Sequence, residues 1–294
     1  MIEKNNRFQV MANVCMIVLC LFCLLPLWLL IASSVTNERA LIKYGYSLIP
    51  REPDLAAYKY ILVDSTQLIR GYAISVVVTV SGTAANLAMT TLFAYPLSRR
   101  DLPGRKGISF FLFFTMLFNG GLVPSYIMWT QTFHIKNTLW ALLVPNLLMG
   151  AFNVIMMRTY LTTNIPEEVI DAAKIDGAGE GRILLEIVVP MSRAILSTLA
   201  LLVGLGYWND WLNGLYYISN DKYYSIQVLL NKMLLDTQFL MSSASKGLNI
   251  DTSQLPSTGI KMAIAVMGIL PVMVVYPFLQ KYLVKGITIG AVKG

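Results

Sequence analysis

The sequence contains few charged residues for its length. Asp, Glu, Lys and Arg together make up 13% of the 294 residues, whereas hydrophobic residues make up 56%. A typical soluble domain has about 25% charged residues and about 45–50% apolar ones. Because so few charges do not suffice to cover a water-soluble protein of this size, the composition predicts that a lipid bilayer surrounds much of the chain.

Residues that bind metals or phosphate groups are also scarce. The sequence has one histidine, His134, and its three cysteines, Cys15, Cys20 and Cys23, lie in the first apolar run without metal-ligand spacing. It has no Gly-x-x-x-x-Gly-Lys-Ser/Thr phosphate-binding loop. We therefore expect no metal site and no bound cofactor, and we expect that the chain does not hydrolyse ATP itself. An intramembrane enzyme would need a nucleophile–base pair or a cluster of metal ligands, and the sequence shows neither.

Six apolar stretches are long enough to cross a membrane, which takes about 20 residues in a helix. They are approximately Val10–Ser34, Gly71–Tyr95, Gly107–Trp129, Thr138–Met157, Ala194–Trp211 and Gly259–Leu279. Ionisable residues are rare within them: Asp210 lies near the end of the fifth stretch and Lys261 near the start of the sixth. Transporters driven by protons or sodium usually carry ionisable residues within their spans, so this alternative class is disfavoured.

The positions of Lys and Arg predict the orientation of these spans. With the N-terminus inside, thirteen of the 23 basic residues fall in short cytoplasmic segments, and the others lie mostly in two long outer loops, about 36–70 and 212–258. Basic residues favour the cytoplasmic side, so we expect both termini to be cytoplasmic; the reverse orientation is the alternative. The same rule accounts for the net charge of +7 without a nucleic-acid partner.

A polar stretch, about 164–190, interrupts this apolar chain between the fourth and fifth predicted spans. Asn164 is predicted to cap a helix that runs to about Ile175, and Gly177 is placed to end it because glycine accepts a left-handed conformation. A second short helix is predicted over Arg182–Val189. The first helix is small on one face, at Val169, Ala172 and Ala173, and this face fits either a groove in a partner protein or a connector on the membrane surface.

The spacing of this stretch resembles a known pattern. Asp171-Ala172-Ala173 is followed by three residues, Gly177, nine residues and Ile187-Val188-Val189-Pro190. The permeases of ATP-binding-cassette (ABC) importers carry Glu-Ala-Ala, three residues, Gly, nine residues and Ile-x-Leu-Pro. Asp171 and Val189 are conservative departures, although Asp171 has a shorter reach than Glu.

Other stretches extend the resemblance over nearly the whole chain. They are Ala94–Arg99 with Pro103–Arg105, Ile175–Ala178, Trp208–Asp210 and Lys285–Gly294, and the chain is similar to the second permease of maltose-type importers in the carbohydrate-uptake family. Phe118–Pro124 with Asn137–Trp140 is similar to the subgroup for oligosaccharides, including acidic ones such as alginate fragments.

The resemblance implies an all-α, polytopic type I importer permease fold that forms a single transmembrane domain over residues 1–294. It implies a bacterial cytoplasmic-membrane location, a heterodimer with a second permease, two ABC ATPase subunits that bind ATP and Mg, an extracytoplasmic sugar-binding protein and an oligosaccharide substrate. The predicted ATPase-coupling residues are Glu167, Glu168, Asp171, Ala172, Ala173, Lys174, Asp176, Gly177 and Pro190. The C-terminal tail, Gly290–Gly294, is predicted to reach the ATPase interface. A membrane scaffold without transport activity is the remaining alternative.

Sugars bind to aromatic faces and to hydrogen-bonding side chains, and polar residues at membrane depth tend to face a cavity or a neighbouring helix. The principal candidates for the substrate pathway are Tyr126, Asn119, Asn146, Asn153, Trp208, Asn209 and Asp210, and a wider set adds Trp28, Asn86, Trp129, Trp140, Tyr207 and Trp211. The competing interpretation is that the aromatic residues anchor the protein at the membrane interface and that the asparagines join helices.

Overall fold

Helices form almost all of the regular structure of the chain. The computed structural model describes residues 6–63, 65–245 and 257–291. The helices are α1 (Asn6–Ser34), α2 (Glu38–Tyr44), α3 (Ala56–Leu62), α4 (Ser65–Ser98), α5 (Arg105–Leu117), α6 (Leu122–Ile127), α7 (Trp140–Leu143), α8 (Ala151–Asn164), α9 (Glu167–Ile175), α10 (Glu180–Ile183), α11 (Val189–Met191), α12 (Arg193–Trp208), α13 (Leu212–Tyr217), α14 (Ile226–Ser245) and α15 (Ser257–Ala291). Short π-helical turns, Met128–Thr132 and Leu184–Val188, extend α6 and α10. Within the described ranges, the one pairing of extended backbone is an isolated antiparallel bridge between Thr36 and Pro53.

Three helices are long and apolar enough to cross a membrane. They contain Phe8–Ser34, Thr66–Ser98 and Thr258–Pro277, and they coincide with the first, second and sixth predicted spans. Their apolar runs carry no interior glycine turn that would stop them, so length and hydropathy alone locate them in the sequence.

The third and fifth predicted spans belong to helix pairs that bend sharply. Arg105–Leu117 meets Leu122–Thr132 at 110°, and Glu180–Met191 meets Arg193–Trp208 at 80°. If each bent pair is one span, the described residues provide up to five, so the predicted count of six is not confirmed. The first bend occurs at Gly121, which has a φ of +88° and whose N–H donates to Asn119 Oδ1 at 2.8 Å.

The fourth predicted span, Thr138–Met157, is wrong as a continuous helix. Residues 144–150 between α7 and α8 are not helical. Pro145 lacks an N–H group, and Asn146 has a left-handed φ of +61°, so the helical hydrogen-bond pattern fails here. Hydropathy does not reveal such a break, because most of the interrupting residues are themselves apolar.

Side chains from three other helices bind the freed carbonyl groups of this break. We call Asn86, Tyr207 and Asn213, which lie on α4, α12 and α13, the carbonyl clamp. Non-helical backbone in a membrane protein is tolerated where protein groups replace its lost hydrogen bonds, which is what the clamp does. The bonds run from Tyr207 to Leu143 O at 2.8 Å, from Asn213 to Pro145 O at 2.9 Å and from Asn86 to Leu147 O at 2.6 Å.

A glycine on α4 makes room for one member of the clamp. A Cβ atom at Gly82 would lie 2.5 Å from the ring of Tyr207, closer than real side chains approach one another. Only a residue without a side chain therefore lets the Tyr207 ring pack against α4 while its hydroxyl reaches Leu143. The wider prediction that Asn86 and Tyr207 bind substrate is not supported by this arrangement, because their polar atoms already bind the backbone.

The chain divides into two compact units. The first comprises the described residues up to Leu68 and those between Leu230 and Pro271. In this unit the Glu38 carboxylate accepts hydrogen bonds from the N–H groups of Thr258 and Gly259, both at 2.9 Å, at the start of α15. A carboxylate at this position satisfies free N–H groups and complements the positive end of the helix dipole.

The second unit comprises residues 69–229 and the described residues from 272 onward. Its main apolar cluster joins the end of α4 to α8, α9, α10 and α12, and it includes Ala94, Met157, Ile170, Ile183 and Leu199. The segment 164–191 is therefore packed onto the end of α4 and onto α8 and α12.

Candidate functional site

The α9 helix ends in a glycine turn of the predicted kind. Gly177 has a φ of +80°, and its N–H donates to Lys174 O at 3.0 Å. The N–H of Ala178 donates to Ala173 O at 2.9 Å, and both Ala173 and Ala178 pack against the main cluster. These bonds form a Schellman motif, in which a left-handed residue satisfies the last helical carbonyl groups. The predictions that the helix ends at Ile175 and that Gly177 is left-handed are confirmed.

The start of α9 differs from the prediction. Asn164 does not cap this helix: it is the last residue of α8, and its Nδ2 donates to Tyr160 O at 3.1 Å. Pro166 occupies the cap position, with the acidic Glu167 and Glu168 in the first turn. Proline and acids at this position suit a helix start, so the helix begins well without a side-chain cap.

The two faces of α9 have different surroundings. Ile170 is only 7% exposed, and Ala173 packs with it against the main cluster. The predicted small face is therefore divided: Ala173 points inward, whereas Ala172 and Val169 are exposed. The outward residues Glu168, Asp171, Ala172 and Ile175, at i, i+3, i+4 and i+7, form a row that we call the docking stripe. Ile175 is 86% exposed.

The segment after the glycine turn leads into α12 through the 80° bend. The predicted helix Arg182–Val189 is present, but it begins at Glu180 and contains a π-helical turn, Leu184–Val188. Pro190 follows this turn, just before the bend. A proline and a π turn are both established causes of sharp helix kinks. Pro190, the last residue of the pattern that resembles ABC importer permeases, therefore coincides with a bend.

A network of polar side chains joins this segment to the end of α4. Tyr95 Oη donates to Glu180 Oε2 at 2.5 Å, and Lys174 Nζ lies 3.1 Å from Glu180 Oε1. Lys174 Nζ also lies 3.7 Å from Asp101 Oδ2, and Arg99 binds Asp101 through two N–H groups at 3.2 and 3.1 Å. We call Tyr95, Arg99, Asp101, Lys174 and Glu180 the α4–α9 network.

The Asp101 carboxyl group of this network has a lowered pKa. The hydrogen bonds from Arg99 lower the pKa of the Asp101 carboxyl group below its ordinary value of 3.8. A carboxyl group with a lowered pKa favours the folded arrangement above its ordinary pKa, and this contribution is lost only as the pH falls through the lower folded value. Mild acidification to about pH 5 therefore leaves Asp101 charged.

The structure gives most of the predicted substrate-pathway residues a structural contact. Tyr126 stacks on Tyr217 with ring centroids 5.9 Å apart, and its hydroxyl accepts from Lys136 Nζ at 3.3 Å. Asn119 closes the turn at Gly121, and Trp208 is buried against Tyr72. Asp210 Oδ1 accepts from the N–H of Asn213 at 3.3 Å, and Asn153 is half-buried beside Gly150.

Two of the predicted residues are exposed and lie at helix breaks. Asn146 is exposed within the 144–150 break, and Asn209 is exposed directly after the end of α12. Asn213 links the two breaks, because its side chain binds Pro145 O while its N–H binds Asp210. The structure therefore brings the neighbourhoods of Asn146 and Asp210 together, although the chain separates them by more than 60 residues.

Several residues in these sites were missed from the sequence. Ile175 was placed at the end of the helix but not on its outward face, which the 3.6-residue period counted from Asp171 would have suggested. Asn213 is a polar residue in an apolar stretch, and this is the same pattern that indicated the other asparagines. The contacts of Tyr95 with Glu180 and of Asp101 with Lys174 had no sequence signal, because each pair is far apart in the chain. Residues 292–294 of the predicted C-terminal contact lie outside the described residues.

The sequence is similar to those of known transport proteins. Residues 106–289 match the family described as binding-protein-dependent transport system inner membrane component. YtcP of Bacillus subtilis (strain 168), a polygalacturonan/rhamnogalacturonan transport system permease protein, is 35% identical over 99% of this chain and 100% of its own length. Protein LplC of the same organism is 35% identical over 92% of this chain and 90% of its own length.

A solved structure resembles the whole chain. It is a crystal structure of a bacterial ABC transporter involved in the import of the acidic polysaccharide alginate. The matching chain has a TM-score of 0.78 and 26% sequence identity, and the match covers 96% of this chain and 98% of that chain.

Proposed function

The chain belongs to the family of binding-protein-dependent transport system inner membrane components, and on that premise we propose that it imports acidic oligosaccharides with a second permease and separate ATPase subunits. The predicted family and the all-α, multi-pass permease fold are confirmed. The pairing with a second permease, the two ATP- and Mg-binding ATPase subunits and the extracytoplasmic binding protein follow from the family and are part of the proposal.

The docking stripe is the surface that we propose for the ATPase subunit. Ile175 is a large apolar side chain left almost wholly in water. On the same face of α9, the acid Asp171 lies one turn away and Glu168 two turns away. Neither acid has an ion-pair partner within the part of the chain that the structure describes. A groove that receives this stripe would therefore contain an apolar pocket with basic groups at its edge.

Co-purification of the ATPase tests this surface. Ile175→Asp is expected to weaken association more than tenfold, because a buried Ile contributes about 1.5–3 kcal/mol and a charge cannot enter its pocket. Ile49→Asp is the matched control, since Ile49 is 78% exposed and lies in a loop predicted on the outer side. Equal loss of ATPase in both variants, or in neither, would contradict the proposed surface.

The acidic nature of the substrate is supported by two similar proteins. One relative is named for polygalacturonan and rhamnogalacturonan transport, and the similar solved structure is involved in alginate import. Both names point to sugar chains that contain uronic acids. The complex reconstituted with its binding protein should show ATPase stimulation by oligogalacturonate or alginate fragments and little by maltodextrin. Stimulation by maltodextrin alone would overturn the substrate class and leave the permease function intact.

Asn146 and Asn209 are the residues that we propose for contact with the sugar. Both are exposed at helix breaks, and an exposed amide both donates and accepts hydrogen bonds, as sugar hydroxyl groups require. Asn146→Gly removes the amide but keeps the left-handed backbone, and Asn209→Ala removes the second amide. Each variant should raise the sugar concentration needed for half-maximal uptake about tenfold, the cost of one lost hydrogen bond of about 1.4 kcal/mol. Unchanged uptake curves for both variants would exclude these contacts.

The proposed orientation places both termini and the docking stripe in the cytoplasm. It is supported by the distribution of basic residues. A protease added to inverted vesicles should cleave a tag at either terminus, and the same protease added to right-side-out vesicles should cleave neither. An ion-coupled transporter is the alternative function, and sugar uptake by the isolated chain under a proton gradient without ATPase subunits would support it.

A further inference from the structure

The α4–α9 network has a buried end and an exposed end. Arg99 and Tyr95 belong to the end of α4, where the Arg99 side chain is only 10% exposed and Tyr95 lies in the main cluster. Lys174 on α9 and Glu180 on α10 are 36% and 58% exposed. The network therefore runs from the packed end of a long apolar helix to the surface that carries the docking stripe.

Lys174 occupies the middle of this network. Its Nζ lies near Glu180 on one side and near Asp101 on the other, at 3.1 and 3.7 Å. Through Glu180 it reaches Tyr95 on α4, and through Asp101 it reaches Arg99, also at the end of α4. Three separate backbone segments, α9, α10 and the turn after α4, are thus joined through one ammonium group.

The Schellman turn between α9 and α10 is surrounded by open space at its two glycines. Gly177, Ala178 and Gly179 connect the two helices, and an added Cβ at either glycine would meet no atom within 4 Å. Ala178 packs against the main cluster, but the turn has little other side-chain contact. Besides the packing of Ile170 and Ile183 in the main cluster, the ion pair between Lys174 and Glu180 ties α9 to α10 across this turn.

We propose that Lys174 is a positioning residue that, through Glu180 and Tyr95, transmits movement of the docking stripe on α9 to the end of α4. This rests on the proposed function, in which an ATPase subunit moves α9. The ion pairs that Lys174 makes with Glu180 and Asp101 are exposed and contribute little to folding stability, so stability alone does not explain the position of Lys174. Their geometry matters for transmission, because a continuous chain of hydrogen bonds and ion pairs couples elements that have two arrangements.

The test uses the complex of both permeases, the ATPase and the binding protein, reconstituted in vesicles with an oligogalacturonate. Lys174→Met removes the charge and keeps most of the side-chain length, and Tyr95→Phe removes only the hydroxyl group. Each should lower the sugar transported per ATP hydrolysed by about 2- to 30-fold. Because the two residues act on one connection, the double variant should lose little more than the stronger single variant.

Two further variants separate positioning from a general effect of charge. Lys174→Arg keeps the cation and should retain most of the coupling. Arg182→Met removes a cation from the same segment, but Arg182 pairs with Glu186 on its own segment at 2.8 Å, so coupling should stay unchanged. Full coupling in both Lys174→Met and Tyr95→Phe, or equal loss in Arg182→Met, would overturn the proposal. If the unmodified complex does not bind an ATPase, the proposed function fails instead.

Discussion

Two interruptions of the helical chain, the 144–150 break and the 164–191 segment, are held in place by different interactions. The break is held by neutral hydrogen bonds from the carbonyl clamp, whose members Asn86, Tyr207 and Asn213 are all buried. The 164–191 segment is held by a Schellman turn, by the packing of Ile170 and Ile183 in the main cluster, and by ion pairs whose charged groups on α9 and α10 face water.

This difference indicates which interruption is fixed and which is adjustable. Loss of one partner of a buried hydrogen bond costs about 1–3 kcal/mol, whereas an exposed ion pair contributes little and is screened by salt. The break therefore behaves as a permanent part of the fold. The exposed ion pairs of the 164–191 segment can rearrange at small energetic cost, whereas its buried side chains, such as Ile170 and Ile183, keep it attached to the main cluster.

The largest effect is expected from closing the space that the carbonyl clamp needs. Gly82→Ala would place a Cβ 2.5 Å from the Tyr207 ring and would force the ring and its hydrogen bond to Leu143 to move. We expect a loss of about 2–4 kcal/mol of unfolding free energy, measured by SDS titration in mixed micelles. Gly107→Ala is the control, because a Cβ there meets no atom within 4 Å. Equal stability of the two variants would contradict the fixed break.

A smaller loss is expected when one hydrogen bond of the clamp is removed. Asn213→Leu keeps a similar side-chain volume but leaves Pro145 O without its donor, and Asn86→Leu does the same to Leu147 O. Each should cost about 1–3 kcal/mol of unfolding free energy in the same titration. Since both bonds hold one segment, the double variant should depart from additivity; strict additivity would mean that the break is not held as a unit.

Substitution of Gly177 in the turn after α9 should act through the backbone conformation alone. Gly177→Ala forces a φ of +80° on a residue with a side chain, at a cost of about 1–2 kcal/mol, although the space around it is open. Gly179→Ala is a close control, because Gly179 has a φ of −73° and equally open surroundings. We expect ATP hydrolysis to uncouple from transport in the first variant only. The bulkier Gly177→Trp should uncouple more strongly, and undiminished uptake by it would refute a role for this turn.

The smallest effect is expected for the exposed pair Arg182–Glu186. Arg182→Met should leave the unfolding midpoint of the complex unchanged in the titration at both low and high salt. Both side chains are largely exposed, so water and salt replace the lost interaction. A clear loss of stability at low salt would show that an exposed ion pair helps to fix the 164–191 segment.

Local patterns in the sequence were sufficient to predict some of the helices and the glycine turn. The end of α9 at Ile175 and the left-handed Gly177 depend on neighbouring residues, and the three long apolar helices depend on length and hydropathy. Other predictions failed. Ala173 faces the main cluster, which distant residues form; Asn164 ends α8 and binds its near neighbour Tyr160. The Thr138–Met157 stretch is broken at Pro145, where side chains from distant helices bind the freed carbonyl groups. Hydropathy measures preference for lipid and does not report which side chains are available to bind freed carbonyl groups.

By itself, the sequence determined the membrane setting and the order of elements in the 164–191 segment. Few charges require a bilayer, and the spacing from Asp171 to Pro190 produces a helix, a glycine turn and a second helix, because these elements form from contacts between near neighbours. The tertiary structure alone decided that Asn86, Tyr207 and Asn213 hold the break, that Ala173 faces the main cluster and that Lys174 reaches Asp101. These contacts join residues that are far apart in the chain, and packing brings them together in ways that periodicity and propensity do not encode.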